Sequence, residues 1–117
     1  MADEGGTVIN LSSVAAQTGI GSNIAYCASK AAVDTMTKSL GRALAPEIRV
    51  VSVAPGMVET EFVKNLNPKW LAQQKALTPM RRFATVENVA QTVLSVATHL
   101  KFSTGCVIQV DGGRPLG

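Results

Sequence analysis

Apolar positions follow two different periods along this chain, and each switch falls at a cluster of Gly, Pro, Ser or Asn. Thr7-Val8-Ile9-Asn10-Leu11 is a short β-branched and apolar run bounded by Gly5-Gly6 and Ser12-Ser13, which predicts a strand over 7–11. A Gly/Ser/Asn loop follows, with Ser22 or Asn23 as the helix cap. From Ala25 to Leu44 the pattern predicts a helix whose apolar stripe is Val33, Met36, Leu40 and Leu44, and Pro46 stops it. Arg49-Val50-Val51-Ser52-Val53-Ala54 is nearly continuous in apolar residues, as in a strand covered on both faces, and Pro55-Gly56 ends it. Residues 57–84 are mixed and predict one or two short helices inside a long connection, a kind of segment that usually carries function. Thr85 then caps a helix with Glu87 in its first turn and Val86, Val89, Ala90, Val93, Leu94 and Ala97 as its inner face. His99 falls near its end, where a cation suits the helix dipole. Gly105 closes the turn, and Cys106–Val110 is a third strand running into Asp111-Gly112-Gly113.

The predicted order is strand, helix, strand, helix, strand. Such a β-α-β-α-β unit is one half of a doubly wound α/β nucleotide-binding fold, here with a helical connection after the second strand. Right-handed crossovers lay the three strands side by side in sequence order. Ligands of these sheets sit beyond the carboxyl ends of the strands. Ser13 and Pro55-Gly56 lie at such ends, and Tyr26 and Lys30 begin the helix after the first one.

Composition narrows the function classes. The chain has 117 residues, 46% of them hydrophobic and 16% charged, enough apolar material for the core of one small domain. A net charge of +3 is mild, and Arg81-Arg82 is the only adjacent basic pair, so neither a nucleic-acid stripe nor a polybasic anchor is present. Met1-Ala2-Asp3-Glu4 carries acids where a secretory signal carries bases. The uncharged stretch 5–29 contains Asn10, Ser12, Ser13, Gln17 and Asn23, too many polar groups for a lipid-spanning segment. Cys27 and Cys106 lack metal-ligand spacing and read as two buried thiols of a soluble protein in a reducing cytoplasm. No metal site is expected.

The candidate chemistry centres on Tyr26-Cys27-Ala28-Ser29-Lys30. Residues four apart on a helix share a face, and an ammonium beside a phenol favours the phenolate. A phenol so placed can give and take a proton near neutrality, as a general acid/base must. The small, turn-rich segment 15–23 can fold back and bring the Ser13 hydroxyl beside it. On the Tyr/Lys pair alone, a packed tyrosine with a solvated lysine one turn later is the plainer reading.

Four features together change that balance: Asn10-Leu11-Ser12-Ser13, the Tyr26/Lys30 pair, Pro55-Gly56-Met57-Val58-Glu59-Thr60, and Thr104-Gly105 through Val110-Asp111-Gly112-Gly113. In this order and spacing the chain resembles the C-terminal half of a short-chain dehydrogenase/reductase, nearest in look to the 3-oxoacyl-[acyl-carrier-protein] reductase-like members. The resemblance implies a Rossmann-like parallel sheet and an NAD- or NADP-dependent oxidoreductase acting on a carbonyl or secondary alcohol, including a carrier-bound acyl group. It assigns Ser13 to the substrate oxygen, Tyr26 to proton exchange with that oxygen, and Lys30 to the nicotinamide ribose hydroxyls and the phenolate. Tyr26, Lys30, Pro55, Gly56, Val58 and Thr60 would face the cofactor, Val58 at its carboxamide and Thr60 near a phosphate. Family members assemble as oligomers through the Tyr26-type helix and the last helix and strand, so a homo-oligomer is expected.

Departures from the family pattern set the alternatives. Ser52 stands where the family often has Asn, so a structural hydrogen bond is expected to be rearranged. The glycine-rich phosphate loop and the residue that separates NAD from NADP find no match, and Gly19-Ile20-Gly21 starts too far after its strand to serve. Residues 1–117 thus read as the catalytic half of such a domain without its nucleotide-binding half. The alternative is an inactive fragment acting only as a structural or association module. Ser13 and Thr60 could also be local caps, and Met57, Phe62, Leu66 and Trp70 either line a substrate pocket or, slightly favoured, only pack the connection on the sheet. Arg81-Arg82 reads as a solvated turn rather than an anion site. A Ser13/His99/Asp111 hydrolase is rejected because Ser13 lacks a Gly-x-Ser-x-Gly elbow. The chain alone is expected to bind NAD(P) weakly or not at all; micromolar binding by titration calorimetry would overturn this.

Overall fold

A computed structural model describes residues 5–117, so the expectation for Met1–Glu4 lies outside the described residues. The elements are β1 (Gly6–Leu11), α1 (Ala15–Thr18), α2 (Ile24–Leu44), β2 (Ile48–Pro55), α3 (Glu61–Lys64), α4 (Pro68–Ala76), α5 (Val86–Thr98) and β3 (Val107–Val110). A 3-10 turn over Arg114–Leu116 follows. The strands form one parallel sheet in the order β1-β2-β3. Ile9 pairs with Val51 and Val53 with Ile108, which sets the register across all three. The α/β class and the strand order agree with the sequence pattern.

Side chains alternate across a strand, so β2 offers two faces. Val51 and Val53 face α5, packing with Val96 under partial cover from Ile9, Val89, Val93, Ile108 and Val110. Ser52 faces α2, where its hydroxyl lies 2.6 Å from that of Thr37. Both helices therefore cover the central strand, one on each face, which explains why its apolar run is nearly unbroken. Two connections that step the same way across a sheet but pass on opposite faces are of opposite hand. The expectation of right-handed crossovers throughout is thus corrected. The handedness preference belongs to a helix folding straight back from its strand, and residues 57–84 carry the chain around the carboxyl edge first.

Three polar groups key α2 to the sheet. Thr37 Oγ1 donates to Val33 O at 2.8 Å and accepts from Asn10 Nδ2 at 3.1 Å. Ser52 Oγ then donates to the remaining lone pair of Thr37, so the hydroxyl is fully used. Thr37 and Ser52 are both completely buried. Gly41, one turn on, meets Gly105 so closely that a Cβ would lie 2.7 Å from its Cα. Thr37 and Gly41, not the expected stripe, are the buried residues of α2; Val33, Leu40 and Leu44 are half-buried and Met36 is exposed. The polar network and the close glycine crossing rotate the helix away from its most hydrophobic face.

The same correction applies to α5. Val96 is buried and Val89, Val93 and Ala97 are half-buried, but Val86, Ala90 and Leu94 point outward. Its start is as expected: Asn88 N donates to Thr85 Oγ1 at 3.0 Å and Thr85 N to Asn88 Oδ1 at 2.9 Å, a reciprocal cap. At its end the cation that matters is Arg49, whose guanidinium donates to Val96 O and Leu100 O, both at 2.8 Å, and to Thr7 Oγ1 at 2.9 Å. The loop expected after β1 contains α1, a single turn ended by Gly19 in the left-handed region, φ 69°. Replacing Thr37 with Val leaves the buried Ser52 hydroxyl and the half-buried Asn10 amide without their partner. That change should cost on the order of 1–3 kcal/mol in chemical denaturation, with most of it recovered in Thr37→Ser; an unchanged midpoint for Thr37→Val would refute the network's role.

Candidate functional site at the carboxyl edge of the sheet

The sheet's hydrogen bonding continues beyond the end of β1. Ser12 N donates to Val53 O at 2.8 Å and Val14 N to Pro55 O at 2.9 Å, so the turn through Ser13 is pinned beside the end of β2. Ser13 is half-buried, and its Oγ accepts the Ala15 amide at 3.1 Å. That contact starts α1 and leaves the Ser13 O–H proton free to be donated.

Asn23 Oδ1 accepts the Tyr26 amide at 2.7 Å and begins α2 at this edge. Lys30, one turn after Tyr26, reaches to the strand and donates through Nζ to Leu11 O at 3.0 Å. The same ammonium lies 5.8 Å from the centroid of the Tyr26 ring. Gly21 presses on the other side of that ring. A Cβ there would stand 3.2 Å from Tyr26 Cδ1 and 3.0 Å from both Cys27 Sγ and Ala15 Cβ, so the turn before α2 needs glycine to close. Tyr26 keeps 38% of its surface exposed. Cys27 and Cys106 are both free and half-buried, less enclosed than the expected buried thiols.

Pro55 and Gly56 sit next to this group. Gly56 N donates to Val110 O at 3.0 Å, and a Cβ on Gly56 would come within 3.1 Å of Asp111 Cβ. Asp111 Oδ1 in turn accepts the Gly113 amide at 2.9 Å, so the Asp-Gly-Gly turn braces the Pro-Gly turn. Val58 forms a parallel bridge with Ala84, made by Glu59 N to Ala84 O at 2.8 Å and Ala84 N to Met57 O at 3.0 Å. In that register the amide of Val58 itself faces away from Ala84. Thr60 Oγ1 accepts Val63 N at 3.3 Å and caps α3, again as an acceptor only.

Ser13, the Tyr26/Lys30 pair and Pro55-Gly56 thus share one edge of the sheet. His99 does not join them. It ends α5 at the opposite edge, with Nδ1 at 2.7 Å from Thr98 Oγ1, so no Ser13/His99/Asp111 arrangement exists. Gly19-Ile20-Gly21 lies behind α1 and caps it, which is a turn and not a strand-to-helix phosphate loop. Among the described residues no group of His, Cys, Asp or Glu has metal-site geometry, and no helix is long and apolar enough to cross a membrane.

Above the edge, the 57–84 connection roofs a cavity of about 390 Å³. Val14 and Ile20 form one wall; Met57, Phe62, Leu66 and Trp70 form the other. These four side chains therefore line a cavity, against the slight preference for mere packing. Arg82 also reaches it, with NH1 donating to Phe83 O and Asn88 Oδ1, both at 3.1 Å; it and Arg81, at φ 60°, are both exposed. Sequence reasoning passed over Arg114 at this site, whereas Asp111 and Gly21 stood out in the sequence as parts of glycine turns.

The chain is similar to known proteins over nearly its whole length. The family model described as Enoyl-(Acyl carrier protein) reductase matches residues 1–114. The short-chain dehydrogenase/reductase homolog YusR of Bacillus subtilis is 39% identical over 111 residues, covering 95% of this chain and 84% of that relative. The 3-oxoacyl-[acyl-carrier-protein] reductase FabG of Thermotoga maritima is 42% identical over 112 residues, 92% of this chain but 45% of that one. The crystal structure of 3-oxoacyl-[acyl-carrier protein] reductase from Brucella melitensis superposes with a TM-score of 0.87 at 37% identity, covering 92% of this chain and 41% of that chain. The chain spans about half the length of other curated relatives, 46% of the L-xylulose reductase of Bos taurus and 44% of the FabG of Aquifex aeolicus.

Proposed function

The chain belongs to the short-chain dehydrogenase/reductase family, and on that premise we propose that its carboxyl-edge residues transfer the proton in an NAD(P)-dependent interconversion of a carbonyl and a secondary alcohol. The observation that carries this reading is the ammonium of Lys30, anchored on Leu11 O at 3.0 Å and 5.8 Å from the Tyr26 ring. A side chain anchored by one of its three donors keeps a fixed positive charge beside the phenol and two donors to spare. The exposed phenol of Tyr26 gives its proton to the carbonyl oxygen as negative charge grows there, and takes it back in the reverse direction. The Ser13 hydroxyl, already an acceptor for the Ala15 amide, donates to the same oxygen. Donors preset at that point favour the transition state over the ground state.

The cofactor, when bound, supplies or takes the hydride at C4 of its nicotinamide. Residues present at this edge fit such a group. The spare donors of Lys30 suit the ribose hydroxyls, the outward amide of Val58 suits the carboxamide, and the Thr60 O–H suits a phosphate. Pro55 and Gly56, held in place by Val14 and Asp111, would offer the nicotinamide ring a surface. The substrate is a small carbonyl or alcohol compound, and a relative named as a 3-oxoacyl-[acyl-carrier-protein] reductase supports a carrier-bound acyl group among the choices. Two free thiols support a reducing compartment such as the cytoplasm.

Association with a second copy is part of the same proposal. Val86, Ala90 and Leu94 leave an apolar strip on the outer face of α5. Leu94→Asp should shift sedimentation toward monomer while leaving the circular dichroism unchanged; an unaltered sedimentation profile would remove α5 from the interface. For the chemistry, Tyr26→Phe should lower carbonyl reduction by about a hundredfold or more with the fold intact. The assay is run on the chain alone and with the remaining half of a related reductase supplied as a second polypeptide. Full turnover by Tyr26→Phe in whichever form is active would sink the assignment.

A further inference from the structure

Resting on the reductase reading for its location, we propose that the cavity under the 57–84 connection takes a medium-length apolar chain carrying an anionic head, a carboxylate or a phosphate. The walls make the first half of the case. Val14, Ile20, Met57, Phe62, Leu66 and Trp70 present aliphatic and aromatic surface to one cavity of about 390 Å³, a size suited to a small molecule and not to a peptide or a nucleic acid. Phe62 is 76% exposed and Trp70 39% exposed, so an apolar occupant would cover surface that the chain itself leaves in water.

The charges make the second half. Two guanidinium groups, Arg82 and Arg114, line the same cavity. Arg82 spends NH1 on neutral acceptors, Phe83 O and Asn88 Oδ1, and Arg114 spends NH2 on Gln74 Oε1 at a long 3.4 Å. Neither forms an ion pair among the described residues, where the sole such pair is Lys64–Glu61. Each guanidinium has five donors, so most remain free. The one carboxylate in the lining, Asp111, has Oδ1 committed to the Gly113 amide and Oδ2 closed off from solvent. The cavity is therefore apolar along its walls and positive in net charge. A neutral chain offers no charged acceptor to Arg82, which is exposed, or to Arg114, which is half-buried, whereas a carboxylate or phosphate gives both charge-assisted hydrogen bonds.

Trp70 is the only tryptophan, which makes its emission a direct reporter of occupancy in the unmodified 117-residue chain. Octanoate, octyl phosphate, octan-1-ol and octylamine share one tail and differ in the head. Octanoate and octyl phosphate are expected to shift Trp70 emission saturably at about tenfold lower concentration than octan-1-ol, with octylamine weakest. The tighter of the two anions identifies whether a free acid or a phosphate ester is the natural head. Arg114→Gln should bring octanoate toward octan-1-ol without weakening octan-1-ol itself. Equal affinity for all four, preference for octylamine, or no emission change with any of them overturns the proposal, and the ligand ranking needs no variant to fold. The outcome separates from that for the reductase reading. Charge-ranked binding in a protein that never reduces a carbonyl leaves the pocket standing alone, and Tyr26-dependent turnover without charge ranking does the reverse.

Discussion

One buried hydroxyl, that of Thr37, sets the position of α2, and with it of the Tyr26/Lys30 pair, on the sheet. It joins α2 to β1 through Asn10 and to β2 through Ser52, with its own proton committed to Val33 O. A helix is stiff, so fixing it at Thr37 also fixes Lys30 about two turns upstream and Tyr26 about three. Lys30 then meets the Leu11 carbonyl without bending, and the Tyr26 ring lands against Gly21. The cost of burying the Thr37 and Ser52 hydroxyls is met because each is hydrogen-bonded, and in return the helix has one register on the sheet rather than several. Ser52, a departure from the family pattern, belongs to this network.

The opposite face of the sheet serves a different purpose. There α5 packs by apolar contact through Val96, Val89 and Val93, and Arg49 ties its last carbonyls to the start of the sheet. Polar specificity on one face and apolar packing on the other hold β2 between them. The carboxyl ends of β1 and β2 are then left as a firm rim, braced by the close contact of Gly56 with Asp111. Above that rim the connection is tied at two points, the Val58–Ala84 bridge and the Met80 amide on Gly112 O at 3.1 Å. Between them α3 and α4 contain no fully buried residue. A roof held at its ends opens locally more easily than the floor it covers.

Much of this was legible in the amino-acid order alone. Three strands, two long helices, a cap at Ser22 or Asn23 and one at Thr85, the stop at Pro46 and the turn at Pro55-Gly56 all follow from local chemistry: backbone restriction, side-chain capping and the period of apolar residues. The Tyr26/Lys30 pairing was equally legible, because a spacing of four in a helix fixes the relation of two side chains before any tertiary contact forms.

Tertiary structure decided what those local rules leave open. Both long helices carry apolar residues on more than one face, so periodicity could not say that Met36, Val86, Ala90 and Leu94 would stay outside while Thr37 and Gly41 went in. That choice was made by the opposing surface, a polar pair on β1 and β2 and a glycine at the crossing. The opposite hands of the two crossovers, the partnership of Arg49 with carbonyls about fifty residues away, and the meeting of Arg82 with Arg114 around one cavity have the same origin. They are contacts between segments distant in the chain, and only the folded geometry brings such groups within reach of one another.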